Sequence, residues 1–197
     1  MSVSLLKFSN TLVVNTRDRT EKLALKELWS DKPVVFLFLR RLGCMICRSY
    51  AAQMEKLRPL IEKKGGQVIC LSFEFFGEGS DEDHSFESIG FWKGPIYTID
   101  KSVYSELFGR KGLFDSFYGL LDMNKDAVKK ANDTNIPGNF KGDGFQLGGQ
   151  FVVSNEGKVI FEHRQKLFGD DASFESLYNS ISSCLPPSPS STPVPSS

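Results

Sequence analysis

Two cysteines three residues apart, Cys44 and Cys47, are the first candidates for chemistry in this 197-residue sequence. They lie in the stretch LRRLGCMICR, where an apolar run ends and a helical pattern begins. Arg40, Arg41 and Arg48 stand in the same stretch and bring positive charge to the pair. Cysteines at this spacing can form half of a metal site, a structural crosslink or a redox centre.

The supply of other metal-binding residues argues against zinc. A structural zinc site needs four ligands, commonly two such cysteine pairs, or one pair with two histidines at short spacing. The remaining candidates here are single residues that are scattered along the chain, so we expect no bound metal. They are Cys70, Cys184, His84 and His163.

The sequence also bears on the compartment and on the partners. Its first residues lack a basic leader followed by a long apolar stretch, and no segment reaches the roughly 18 apolar residues of a membrane span. We expect a cytoplasmic protein, in which most thiols are kept reduced and a cysteine pair is more often catalytic than structural. The formal net charge of zero gives no indication of nucleic-acid binding.

The elements around the pair explain how one thiol would become reactive. The run PVVFLFL (33–39) is typical of a strand buried on both faces, and residues 44–64 repeat apolar side chains at helical spacing. Cys44 is thus predicted at a helix N-terminus, where free N–H groups and the helix dipole favour a thiolate. Cys47, one turn further on, would be the resolving thiol, and the three arginines would support the charge electrostatically.

The rest of the chain alternates strands and helices. We predict an α/β fold with a mixed central sheet flanked by helices, in one redox domain over residues 1–183. A disordered tail rich in proline and serine would follow over residues 184–197. The predicted strands are 11–15, 67–73, 95–100 and a hairpin within 150–164, the predicted helices are 20–29, 101–108, 125–132 and 173–182, and an acidic loop over 77–94 holds a short helix.

Glu74 stands where sheets of this kind gather ligands. It follows the strand 67–73, and ligand sites in open α/β sheets lie beyond the carboxyl ends of the strands. It is a candidate proton donor to a departing alkoxide, although an ordinary surface glutamate is the commoner finding. An apolar substrate would also need an apolar binding surface, for which FEFFGEG (73–79) and GLFDSFYGLL (112–121) are candidates. Packing of these side chains in the core is the alternative.

Four stretches together resemble the peroxiredoxin-like 2 family, also called selenoprotein U-like. They are LRRLGCMICR (39–48), IYTIDKSVYSELFG (96–109), GNFKGDGFQLGGQFVVS (138–154) and EHRQKLFGD (162–170). The resemblance covers about residues 10–183 and implies a thioredoxin-like (peroxiredoxin-like) fold. The family includes prostamide/prostaglandin F synthases and antioxidant redox regulators, and some members carry selenocysteine at the position of Cys44.

Two other groups with this fold resemble the chain less. Thioredoxins carry a cis-proline where this sequence has Gly149, and a buried carboxylate near the position of Phe38. Peroxiredoxins place a Pro-x-x-x-Thr-x-x-Cys motif at the strand–helix junction. Here Cys47 takes the position of the motif's cysteine, Cys44 replaces the threonine and Arg40 replaces the proline. A general protein disulfide reductase is therefore disfavoured.

The resemblance implies a thiol-dependent oxidoreductase that reduces a peroxide O–O bond. Cys44 would attack one oxygen and Cys47 would close the disulfide, with a hydroperoxide or with a prostaglandin endoperoxide that becomes an F-type diol. No nucleotide fingerprint such as G-x-G-x-x-G is present, so we expect no bound cofactor. Electrons would come from external NADPH through thioredoxin and its reductase. Two alternatives stay open: a redox-regulatory signalling module without rapid turnover, and a thioredoxin-like reductase of protein disulfides.

Overall fold

A mixed sheet of seven strands forms the centre of the described part of the chain. The computed structural model describes residues 3–82, 84–112, 125–133 and 135–185. The strands are β1 (Leu12–Asn15), β2 (Lys22–Ala24), β3 (Val34–Phe38), β4 (Gln67–Ser72), β5 (Ile96–Ile99), β6 (Gly149–Val153) and β7 (Val159–Arg164). They lie in the order β2-β1-β5-β4-β3-β6-β7. Parallel pairing joins β3, β4 and β5, and the outer strands pair antiparallel.

Helices cover both faces of this sheet, which confirms the predicted α/β fold. Because successive side chains of a strand point to opposite faces, β3 contributes to two cores. Phe36 and Phe38 pack in the core between the sheet and the third helix. Val35 and Leu37 pack in the core on the opposite face, between the sheet and the first and last helices. The helices among the described residues are α1 (Met45–Lys63), α2 (Ser85–Ser88), α3 (Lys101–Phe108), α4 (Lys125–Asp133) and α5 (Phe174–Ser182).

The junction between β3 and α1 forms as the sequence predicts. All five residues of β3 are buried, since the strand has neighbours on both sides and helices on both faces. Helix α1 buries Ala51, Met54 and Ile61 on the face that packs against the sheet. It ends at Lys63 and is followed by Gly65, whose φ of 95° is a conformation that glycine adopts at little cost, as the Gly-Gly pair predicts.

The predicted helix over 20–29 is wrong in its first half. Lys22–Ala24 form strand β2, in which Leu23 pairs with Val13 of β1. A 3₁₀ turn follows over Leu25–Leu28. The leucine spacing of three in that turn also fits a helix, so the periodicity was ambiguous and strand pairing decided it.

The remaining predictions have different outcomes. The acidic loop holds the short helix α2, as expected, after a 3₁₀ turn over Gly79–Asp81. Residues 186–197 of the predicted tail and 113–121 of the second Phe-rich stretch lie outside the described residues. Measured against the length and hydropathy that a bilayer crossing requires, every helix in the described ranges falls short.

Candidate active site

Cys44 and Cys47 stand together at the start of α1. Cys44 is the N-cap residue, with φ −75° and ψ 118°, and its carbonyl accepts a hydrogen bond from the Arg48 N–H at 2.9 Å. Cys47 is the third residue of the helix. An N-cap side chain turns back over the third helical residue, which explains why the two thiols meet. Both are buried, with 4% and 6% of their surface exposed.

The two thiols differ in acidity because one donates a hydrogen bond to the other. The Cys47 thiol donates to Cys44 Sγ, which lowers the pKa of Cys44 and raises the pKa of Cys47. Burial opposes ionisation of both sulfurs. At Cys44 this penalty is outweighed by the hydrogen bond from the Cys47 thiol, by the positive charge of Arg40 and by the backbone N–H of Cys47. The negative charge is therefore concentrated on Cys44.

Arg40 is the arginine that contacts the reactive sulfur. Its Nη2 lies 3.4 Å from Cys44 Sγ, and its Nη1 donates to the carbonyl of Gly144 at 2.9 Å. The guanidinium also stacks on Phe168, with 4.1 Å between its central carbon and the ring centroid. These three contacts fix a buried cation against the thiolate, where the attraction is screened less than at the surface.

Arg41 and Arg48 direct hydrogen bonds to a loop. We name residues 137–144 the arginine-held loop, because all three arginines donate to its carbonyls. Arg41 donates to the carbonyl of Asn139 at 2.8 Å, and Arg48 donates to that of Pro137 at 2.7 Å. Direct electrostatic support of Cys44 by these two residues stays a prediction, while their contacts give them a role in positioning.

Arg48 is also part of a buried ion pair. Its Nη2 lies 3.3 Å from Asp81 Oδ1, and both side chains are almost fully buried. Its Nε donates to the carbonyl of Leu42 at 2.6 Å. Removing one partner of such a pair leaves an uncompensated buried charge, so Arg48 stabilises the segment before Cys44.

Glu74 braces the same segment from the other side. It is 7% exposed, so the alternative of an ordinary surface glutamate is wrong. Its carboxylate accepts hydrogen bonds from the Leu42 N–H at 2.8 Å and from the Ser80 hydroxyl, which in turn accepts from the Gly43 N–H at 2.6 Å. Glu74 thus holds the turn that presents Cys44, and its role as a proton donor stays a prediction.

Asp171 belongs to the site, although sequence reasoning missed it. Its Oδ1 accepts hydrogen bonds from Gln150 Nε2 at 2.7 Å and from Gln165 Nε2 at 2.8 Å. Burial raises the pKa of this carboxyl despite those two donors. Its negative charge also helps to raise the pKa of Cys47, after the hydrogen bond to Cys44 and burial. The one signal in the sequence was its place directly after the EHRQKLFGD stretch.

A cleft of about 310 Å³ is lined by Ile46, which stands between Cys44 and Cys47 in the sequence. Ile46 and Tyr50 line it from α1, Phe174 lines it from α5, and Lys130 and Asp171 add charge. Its volume is at the lower end of the range for small-molecule sites. An apolar wall with a few charged groups suits an amphipathic ligand.

The first Phe-rich stretch packs elsewhere. Phe73 meets Tyr104 edge to face, with 5.0 Å between centroids, and Phe76 is buried against Phe86. These two rings are therefore used in the core, which was the alternative to a substrate wall. The apolar side chains that line the cleft come instead from α1 and α5.

Comparisons with known proteins identify relatives along most of the chain. The profile of the AhpC/TSA antioxidant enzymes matches residues 53–167. A prostamide/prostaglandin F synthase of Salmo salar is 34% identical over 165 residues, which cover 82% of this chain and 80% of that one. The protein of the same name from Xenopus tropicalis is 34% identical, with 91% and 89% covered. Peroxiredoxin-like 2A of Rattus norvegicus is 31% identical, with 84% and 70% covered.

Solved structures share the fold. Peroxiredoxin Q of Xanthomonas campestris superposes with a TM-score of 0.58 at 11% identity, over 93% of this chain and 96% of that one. A putative thiol:disulfide interchange protein, DsbE of Chlorobium tepidum, gives 0.52 at 16% identity, over 89% and 92%. These likenesses concern the fold alone, and they confirm the predicted thioredoxin-like, peroxiredoxin-like architecture.

Proposed function

This chain belongs to the AhpC/TSA antioxidant enzyme family, and we propose that it reduces the O–O bond of a peroxide with Cys44 and Cys47. The relatives named prostamide/prostaglandin F synthase and peroxiredoxin-like 2A confirm the predicted resemblance to the peroxiredoxin-like 2 family. The family profile begins at residue 53, after the cysteine pair. We therefore propose the reactive residues from the geometry of this chain.

The observation that supports the proposal is the polarity of the cysteine pair. Cys44 Sγ accepts a hydrogen bond from the Cys47 thiol and lies 3.4 Å from Arg40 Nη2, and both contacts lower the pKa of Cys44. The thiolate is the form that attacks an electrophilic oxygen. Cys47 keeps its proton because its pKa is raised, so it is available to act second.

With a hydroperoxide, Cys44 is oxidised by two electrons. Its thiolate attacks one oxygen, the S–O bond forms, the O–O bond breaks, and the departing alkoxide takes a proton and leaves as an alcohol. Arg40 is placed to stabilise the charge on that alkoxide. Cys47 then attacks the sulfenic sulfur of Cys44, and its proton leaves with the displaced oxygen as water, which gives a disulfide.

With a cyclic endoperoxide, the same two steps give a diol. The Cys44 thiolate attacks one oxygen, the O–O bond breaks, and the second oxygen becomes a hydroxyl on protonation. The first oxygen stays bonded to sulfur until Cys47 attacks that sulfur and displaces it as the second hydroxyl. The names of the synthase relatives favour this substrate class, and the apolar wall formed by Ile46, Tyr50 and Phe174 suits a lipid chain.

The disulfide must then be reduced from outside. We infer that NADPH supplies the electrons through thioredoxin and its reductase, because the sequence has no dinucleotide fingerprint of its own. We propose a cytoplasmic location, because that reducing system operates there.

Cysteine variants and mass spectrometry test the mechanism. Anaerobic addition of one equivalent of peroxide is expected to remove two hydrogens across Cys44 and Cys47. Cys44→Ser is expected to abolish turnover, Cys47→Ser to stop after one turnover with a trappable sulfenic acid, and the control Cys184→Ser to behave as wild type. Turnover retained by Cys44→Ser eliminates the mechanism. Steady-state rates with several hydroperoxides and endoperoxides, coupled to thioredoxin, then rank the substrates.

The burial of both sulfurs favours one second candidate, a redox-regulatory module without rapid turnover. At 4% and 6% exposure the thiols of Cys44 and Cys47 are reached slowly by bulky oxidants. This function predicts a slowly formed, persistent disulfide and different partner binding by the oxidised and reduced forms. Stopped-flow oxidation separates the two, since an enzyme must form the disulfide as fast as it turns over.

A further inference from the structure

Phe140 extends into solvent from a loop whose backbone is hydrogen-bonded on both sides of it. Its ring is 93% exposed, whereas the other exposed large apolar residues of the described ranges reach at most 55%, at Leu60. A single exposed apolar residue is ordinary on a protein surface. What distinguishes this one is the loop that carries it.

The arginine-held loop is fixed on both sides of Phe140. Before the ring, the carbonyl of Asn139 accepts from Arg41 at 2.8 Å, and after it the carbonyl of Lys141 accepts from the same guanidinium. The carbonyl of Gly144 accepts from Arg40 at 2.9 Å. A ring presented on a fixed backbone loses little conformational freedom when a partner binds it.

The loop lies directly on the residues that begin the cysteine motif. The Asn139 N–H donates to the carbonyl of Gly43 at 2.8 Å. A Cβ at Gly138 would lie 2.6 Å from that of Met45, so only glycine allows this approach. Consecutive Cα atoms are about 4 Å apart, so the Cα of Phe140 lies about 4 Å from that of Asn139, the residue that contacts Gly43. A partner that binds the ring therefore lies close to the segment that carries Cys44.

The charges around Phe140 favour a protein over a membrane. Lys141 forms an ion pair with Glu82 at 2.9 Å, and Arg41 is engaged by loop carbonyls. The formal net charge of the chain is zero. Binding to an anionic lipid surface uses surplus basic charge around several apolar residues, a combination that the described residues around Phe140 do not provide. An aromatic ring within a polar rim is instead the usual anatomy of a protein–protein anchor.

We propose that Phe140 is the docking anchor for the dithiol protein that reduces the Cys44–Cys47 disulfide. This inference rests on the proposed function, since it concerns the disulfide which that function forms. The partner is a thioredoxin-type protein with an apolar surface around its reactive thiol. Its thiolate attacks one sulfur of the disulfide to form a mixed disulfide, and its second thiol displaces that bond. The partner leaves oxidised by two electrons, and both cysteines become thiols. Because both sulfurs are buried, the partner must be held in place while exchange occurs.

The test separates docking from chemistry by changing the reductant. The disulfide is made with diamide, so that the measurement does not depend on peroxide turnover, and is then reduced by thioredoxin or by dithiothreitol. For Phe140→Ala we expect the KM for thioredoxin to rise roughly tenfold, which is the effect of losing a binding hot spot, with an unchanged rate in dithiothreitol. Phe140→Tyr should restore most of the loss, and Leu60→Ala is the matched control at another exposed apolar residue.

Three results overturn the inference. The first is an unchanged KM for thioredoxin in Phe140→Ala. The second is an equal loss with both reductants, which would mean that the ring acts on the disulfide and not on the partner. The third is a loss of binding to anionic vesicles with normal thioredoxin kinetics, which would assign the ring to a membrane. Failure of the proposed function has a different signature, because wild type would then form no disulfide with any peroxide while diamide-oxidised protein still reports on docking.

Discussion

Replacing Arg40 with methionine tests how the reactive thiolate is stabilised. Methionine keeps a long side chain over Phe168 and removes the positive charge that lies 3.4 Å from Cys44 Sγ. The pKa of Cys44 is expected to rise, and its reactivity below that pKa to fall. The hydrogen bond from Cys47, which lowers the pKa of Cys44 most, is retained in this variant.

The size of the effect follows from the contact. At an effective dielectric constant of about 20, two unit charges 3.4 Å apart attract by about 5 kcal/mol. The net value is smaller because the guanidinium is itself desolvated, and hydrogen bonds to charged groups contribute about 1.5–3 kcal/mol. Since 1.4 kcal/mol is a factor of ten, the equilibrium constant for ionisation of Cys44 should fall by about 10- to 150-fold.

The assay is the pH dependence of alkylation at Cys44. Iodoacetamide labelling resolved by peptide mass spectrometry should give a profile that is shifted to higher pH in Arg40→Met, with a smaller shift in Arg40→Lys. Arg41→Met is the control, because the Arg41 guanidinium donates to carbonyls of the arginine-held loop. The reasoning is refuted by a wild-type profile in Arg40→Met, or by an equal shift in Arg41→Met.

Four further predictions concern other groups at or near the site. Cys47→Ala removes the largest influence that lowers the pKa of Cys44, so its alkylation profile should shift further than that of Arg40→Met. Asp171→Asn removes a charge that raises the pKa of Cys47, so stopped-flow disulfide formation at neutral pH should be faster; slower closure would show that the carboxylate accepts the proton. Glu74→Gln weakens charged hydrogen bonds, and its free energy of unfolding in urea should fall by about 1.5–3 kcal/mol. Burial raises the pKa of Asp143, but hydrogen bonds from its basic neighbours outweigh it and hold the pKa at about 2; wild type should therefore lose this stabilisation as pH falls from about 4 to 2, and Asp143→Asn should lack that slope.

Local sequence patterns were sufficient to predict an element where adjacent residues in the chain decide its structure. The apolar run before Cys44, the helical spacing after it and the Gly-Gly pair at Gly65 predicted β3 and α1 to within about a residue. The helix prediction for residues 20–29 is wrong in its first half because the spacing of the leucines fits a helix, a strand and a 3₁₀ turn. The pairing of Leu23 with Val13 chose among them, and that contact is not encoded in the segment itself.

The partners of the charged residues could not be predicted in this way. Three arginines beside two cysteines suggested one shared electrostatic role, yet only Arg40 hydrogen-bonds to a sulfur among the described contacts. Arg41 donates to residues about a hundred positions along the chain, and the charge of Asp171 reaches Cys47 from the loop before α5. Such contacts arise when distant loops converge at one end of the sheet, and the local spacing of residues in the sequence does not predict them.

The contact between Arg40 and Cys44 has a consequence for the midpoint potential of the dithiol couple. Oxidation removes the thiolate and leaves a buried guanidinium without its anion, so the structure favours the reduced state. Every tenfold preference for that state makes the couple more oxidising by about 30 mV. The oxidised protein should therefore accept electrons readily from a donor of ordinary strength.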